Sequence, residues 1–202
     1  MTNGLGIFII ISLFALWNID LIASVLNLKS LTSKLPNEFK GVFTEDKYAK
    51  SQAYTRTNSK FNSIQSAFSL GLLLTFWLLG GFGYVDSNLR ALGYNEIITG
   101  LLFMGSLFIG QTLLSIPFQL YSTFVIEEKF GFNKTTPKTF IIDQFKGLIL
   151  MILIGVPILS LILWIFQSIS HAWLWAWLAF TTIQLLLTYL APAYLLPLFN
   201  QF

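Results

Sequence analysis

The chain has 202 residues, 55% of them hydrophobic and only 10% charged, and a mean hydropathy of +0.71, which excludes an ordinary soluble domain. It contains no cysteine, which excludes a disulfide framework and any thiolate metal site. The formal net charge of +3 does not indicate nucleic-acid binding, because the basic residues are sorted by connector and form no stripe interleaved with stacking aromatics.

The first spanning candidate runs over residues 5–26, enough to cross a hydrocarbon core about 30 Å thick at about 1.5 Å per residue. A cleaved signal peptide is disfavoured, since no basic segment precedes the apolar run and Lys29 and Lys34 follow it. Asn18 and Asp20 interrupt this span on different helix faces, and Asp20 lies near its end. Residues 27–62 form a polar connection with seven basic residues against three acidic ones. Within it Leu35-Pro36 breaks any continuing helix, and Thr44-Glu45-Asp46 reads as a cap with acids in the first turn. A helix from about Asp46 then extends the second span, 63–84, out of the membrane. Ser63, Ala67 and Gly71 recur at four-residue spacing, a small-residue ladder suited to close helix approach. Gly80 to Gly83 end that span, and residues 85–96 read as a short connection.

The third span is expected over 97–119, with Pro117 as a kink. Tyr121 to Lys146 then gathers three of the nine acidic and four of the twelve basic residues of the chain. Here Gly131 suits a positive φ, Asn133 suits a bond to its own backbone, and Pro137 suits a first helical turn capped by Thr135 or Thr136. The fourth and fifth spans follow over 147–166 and 172–194, with Trp164, Trp173, Trp175 and Trp177 as an interfacial belt around the tight turn that holds His171. The fold class is therefore all-α, a polytopic membrane protein of five transmembrane helices. The two long connectors hold every basic residue but Arg90, so the topology rule puts them in the cytosol, with the N-terminus outside and the C-terminus cytosolic.

The wording YSTFVIEEKFGFNKTT, followed by an F..D..KG pattern, resembles the signature segment of the type I CAAX prenyl endopeptidases, a family of integral-membrane zinc metalloproteases. LPNEFKGVFTEDKYAKSQAYTRTNSKF and the final AYLLPLFNQF support the likeness. All three blocks resemble the N-terminal membrane domain of that family, and none resembles its catalytic domain. The resemblance implies that Glu127, Glu128, Lys129, Phe130, Gly131, Phe132, Asn133, Thr135, Thr136, Asp143 and Lys146 dock the catalytic domain or wall a substrate chamber. It likewise implies that Pro197, Leu198, Phe199 and Asn200 lead toward that domain. Asp143 and Lys146, three apart, are spaced to pair on one helix face.

A zinc endopeptidase of this kind carries H-E-x-x-H and a further downstream glutamate. This chain has one histidine, His171, and no such motif, so no residue is assigned to catalysis or to metal binding. Zinc is expected in the full-length enzyme and no cofactor in this chain, which is expected to be inactive alone. The chain is expected to be a fragment, since Leu195 to Phe202 reads as an entry into further protein; a stand-alone membrane domain is the alternative. Expected partners are membrane lipid, the C-terminal catalytic domain of the same enzyme and, through the full-length form, a peptide substrate; nucleic acid is not expected. The expected location is a bacterial inner membrane or the endoplasmic reticulum, as a multi-pass protein. Glu127-Glu128 does not begin the E-E-x-x-x-R motif of another intramembrane protease family, because Phe132 stands where that motif has arginine. The reading of a different class is a non-enzymatic protein such as a small transporter or assembly factor. It finds no repeated halves and only Asp20 as a candidate intramembrane charge.

Overall fold

The computed structural model describes residues 4–32, 34–35, 41 and 44–198. Among these, every regular element is helical: α1 (Gly4–Ser30), α2 (Glu45–Leu78), α3 (Gly81–Arg90), α4 (Glu96–Tyr121), α5 (Pro137–Leu150), α6 (Val156–Ser168) and α7 (Ala172–Leu190). Five stretches are long and apolar enough to cross a membrane: Gly4–Ser30, Glu45–Leu78, Glu96–Glu127, Pro137–Ser168 and Ala172–Leu195. The number of spans is the one expected from the sequence.

Their ends are not. Helices run past the hydrocarbon boundary because their backbone hydrogen bonds are internal and need no lipid to hold them. Thus α2 starts at Glu45, capped by the Thr44 side chain, which accepts from the Lys47 N–H. It stops at Leu78 rather than Tyr84, and the glycines beyond it open α3 in place of the expected irregular connection. At the other end of that connection the Asn95 side chain accepts from the Ile98 N–H at 2.9 Å and starts α4. The Arg90 guanidinium grips both oxygens of Glu96 at 2.9 and 3.1 Å.

The prolines do not break the spans. Met151–Gly155 is a π-helical turn just before Pro157, and α6 resumes with that proline in its first turn. Proline lacks an N–H and crowds the carbonyl four residues earlier, so a wider turn there takes up the misfit while the span continues. Pro192 lies inside a second π-helical turn, Ala191–Leu195. Pro117 sits within α4, and another π-helical turn, Ser122–Glu127, continues that helix beyond Tyr121.

The chain divides into two compact units. In the first, Met1–Asp86 with Gln111–Lys134, α1 and α2 meet through polar contacts: Trp17 Nε1 donates to Ser66 Oγ at 3.2 Å, and the Ser24 and Ser63 hydroxyls lie 3.5 Å apart. Ser63 thus belongs to a helix contact, as its place in the small-residue ladder predicts. Gly71 does not, since a methyl built on it meets nothing within 4 Å. Aromatic rings join α2 to the end of α4, with Phe61 stacked 5.1 Å from Tyr121 and Phe68 5.1 Å from Phe118.

In the second unit, Ser87–Gly110 with Thr135–Phe202, α6 and α7 form a hairpin. Its turn places His171 at φ 58°, the left-handed region. The close approach here is at Gly100, where an added methyl would sit 2.9 Å from a Leu163 methyl group. Buried side chains are few among the described residues, and large apolar ones such as Leu185, Leu153 and Phe8 are about two-thirds exposed. This is the surface of a protein whose solvent is hydrocarbon.

Candidate functional site

The signature segment is built from the end of the third span. The sequence reads Tyr121 onward as a connection, but the helix persists through Glu127 and on to Lys129. It then closes with a Schellman cap. The Phe132 N–H donates to the Glu127 carbonyl at 2.9 Å, and the Gly131 N–H donates to the Glu128 carbonyl at 3.0 Å. Gly131 adopts φ 67°, the left-handed conformation that this cap needs and that glycine takes without a Cβ clash. The Asn133 N–H also donates to the Glu127 carbonyl, at 3.3 Å. The Asn133 side chain bonds back onto the helix end, its Nδ2 donating to Glu128 Oε2 at 3.0 Å. A carboxylate one turn back is a strong acceptor because it is charged.

Two side chains of α2, one helical turn apart, hold this cap. The Tyr54 ring meets Phe130 edge-on at 5.4 Å and Phe132 edge-on at 4.8 Å, arrangements that suit the ring quadrupoles. Lys50 Nζ lies 5.7 Å from the centre of the Phe132 ring, and Lys129 Nζ lies 5.6 Å from that of Phe130, both within cation–π range. Phe130 is buried, as is Ile126 in the preceding turn. Glu128, Lys129 and Phe132 remain exposed, and Glu127 is half-buried. The segment is thus a rigid helix end with two rings fastened to α2 and a charged, aromatic outer face.

Lys50 and Tyr54 are the residues that sequence reasoning did not single out. They stand in the DKYAKSQAY block, whose lysines read as topology signals. The four-residue spacing of a cation and an aromatic on one helix face was the available hint.

The remaining signature residues lie in the second unit. Thr136, rather than Thr135, caps α5: its Oγ1 accepts from the Thr139 N–H at 3.1 Å, with Pro137 in the first turn. Lys146 Nζ bonds Asp143 Oδ1 at 3.3 Å across one turn of α5, as their spacing anticipates. Both are partly exposed, so the pair contributes well under about 1 kcal/mol. Pro197 lies in a short 3₁₀ turn, Leu196–Leu198; Phe199 and Asn200 lie outside the described residues.

The chain's donors do not fit the zinc that the resemblance implies. There is one imidazole and no thiol, and His171 starts α7 from a tight turn. Among the described residues, no three His, Cys, Asp or Glu side chains gather closely enough to hold an ion.

Residues 24–201 match the profile of the family described as CAAX prenyl protease N-terminal, five membrane helices. A CAAX prenyl protease 1 homolog of Oryza sativa is 35% identical over 176 residues, covering 83% of this chain and 41% of the relative. CAAX prenyl protease 1 of Saccharomyces cerevisiae is 33% identical over 181 residues, covering 84% of this chain and 40% of the relative. The crystal structure of S. mikatae Ste24p superposes with a TM-score of 0.86 at 29% identity, over 99% of this chain and 49% of that one. The chain therefore spans less than half the length of the curated relatives it matches.

Proposed function

The chain belongs to the CAAX prenyl protease family, and on that premise we propose that it is the membrane-embedded scaffold of a zinc endopeptidase acting on prenylated or other peptides. The zinc-bearing catalytic module lies outside these 202 residues. The spans form the wall of a chamber open to lipid, and the signature segment faces that module from the cytosolic side. One observation carries this reading: the Schellman-capped end of the third span is fastened to α2 through Tyr54 and Lys50. The fastening leaves Glu128, Lys129 and Phe132 outward. A segment held in one conformation loses little entropy on docking, which is what a stable intramolecular interface requires.

No residue of this chain breaks a peptide bond in the proposed scheme. Its part is to hold the bilayer-facing geometry, present the docking face and admit a substrate whose lipid tail stays among apolar helices. The test joins the chain to the catalytic half of the Saccharomyces relative and assays cleavage of a farnesylated CAAX peptide. The fusion should cleave in a chelator-sensitive manner, whereas the 202 residues alone should not. Chelator-sensitive cleavage by the purified chain alone, or a well-folded but inactive fusion, would count against the proposal.

A further inference from the structure

Beside the end of α1, the first unit has an open cleft of about 560 Å³ lined by Leu31, Thr32, Lys34, Gln52, Ala53 and Arg56 among others. That volume falls within the roughly 300–1,000 Å³ of small-molecule sites. Among the described residues, none that lines it is acidic, and neither Lys34 nor Arg56 is in an ion pair. Arg56 Nη2 donates to the Leu31 carbonyl at 3.3 Å. That bond ties the guanidinium to the end of α1 and leaves most of its five N–H groups for something else. Among the described residues, a cleft walled by two cations without a charged partner suits an anionic ligand.

Depth identifies the source of that ligand. α1 has 27 residues and is about 40 Å long, more than the hydrocarbon thickness of about 30 Å, so its last turn reaches headgroup level. The cleft begins at the next residue, Leu31. On α2, Arg56 precedes the span expected from residue 63 by about 10 Å of helix rise, which places it at the same level. We infer that this cleft binds the headgroup of an anionic glycerophospholipid, its phosphodiester held by Lys34 and Arg56. A zwitterionic headgroup is disfavoured because its own cation would face the two basic side chains.

The experiment titrates the purified 202-residue chain in mild detergent with phosphatidylglycerol, phosphatidylcholine and glycerol 3-phosphate, reading bound lipid by native mass spectrometry. Two variants accompany it: K34Q/R56Q, which empties the cleft of charge, and K47Q/K60Q, which removes the same charge from the same connector elsewhere. Phosphatidylglycerol should be retained in preference to phosphatidylcholine. K34Q/R56Q should weaken retention about a hundred-fold, the loss of two charge-assisted contacts. K47Q/K60Q should weaken it by about ten-fold at most, as expected of diffuse attraction to lipid. Equal loss in the two variants, or equal retention of the two lipids, would overturn the inference. Displacement of the lipid by an equimolar amount of glycerol 3-phosphate would also overturn it, by assigning the cleft to a soluble phosphoryl compound. Each variant's melting temperature without lipid, if within a few degrees of the parent, excludes misfolding as the cause; should K34Q/R56Q fall further, the milder K34Q alone is expected to weaken retention about ten-fold.

Discussion

Phe130→Ala is the sharpest perturbation of the docking face, because Phe130 is only 7% exposed and Tyr54 lies edge-on at 5.4 Å. Truncating a buried phenylalanine costs about 3–5 kcal/mol, of which roughly 0.5–1.5 belongs to the aromatic pair. In a chain of this size each kcal/mol moves the melting temperature by about 2–4 °C, so a fall of about 6–20 °C is expected. Phe132→Ala should cost about half as much, since Phe132 is already 49% exposed and has less surface to lose. The assay is thermal unfolding in a single detergent at fixed lipid content, with Tyr54→Ala and the double variant Y54A/F130A completing a cycle. The double variant should lose less than the two singles together by about 0.5–1.5 kcal/mol, the coupling of the ring pair. A fall under about 2 °C for Phe130→Ala, or strict additivity in the cycle, would refute the claim that the helix end is fastened to α2.

The two glycines should respond oppositely. Gly71→Ala meets open space and should raise stability by up to about 1 kcal/mol, whereas Gly100→Leu pushes against Leu163 and should lower it by about 1–3 kcal/mol; both are read from melting temperatures. His171→Gly should stabilise the α6–α7 hairpin by about 1 kcal/mol, because a side chain at φ 58° carries left-handed strain. Metal analysis should find the zinc content of that variant equal to the parent's, and a chelator should leave the melting temperature of both chains unchanged; a chelator-induced fall would reveal a site the donors do not suggest. Since the chain has no native cysteine, single cysteines at Lys47, Lys134 and Asn88 report topology cleanly with a membrane-impermeant maleimide in intact cells. Only the Asn88 variant should label, and labelling at 47 or 134 would reverse the proposed orientation.

The five spans were legible because composition alone sets them: apolar runs near twenty residues long have few fates outside a bilayer. Thr44, Pro137 with a threonine cap at 135 or 136, Gly131 and the Asp143–Lys146 pair were legible because capping, left-handed turns and i,i+3 pairing act within a few residues. The helix beyond Tyr121 was not, since charged residues in a greasy chain mark the end of the hydrocarbon rather than of the helix. Gly71 and Gly100 look alike in sequence, and only the placement of Leu163 tells them apart. Tyr54 escaped notice for a similar reason: its partners Phe130 and Phe132 lie more than seventy residues away, and no periodicity records a contact at that separation.

The central claim is that the outer face of the capped helix end touches the catalytic module. A photo-reactive phenylalanine analogue at position 132 of the fused enzyme tests this directly, with the same probe at Tyr189, 82% exposed within the fifth span, as a comparison site. After irradiation, mass spectrometry should recover peptides of the catalytic module joined to residue 132 and none joined to residue 189. Adducts to lipid alone at residue 132, in a fusion that still cleaves its substrate, would contradict the account.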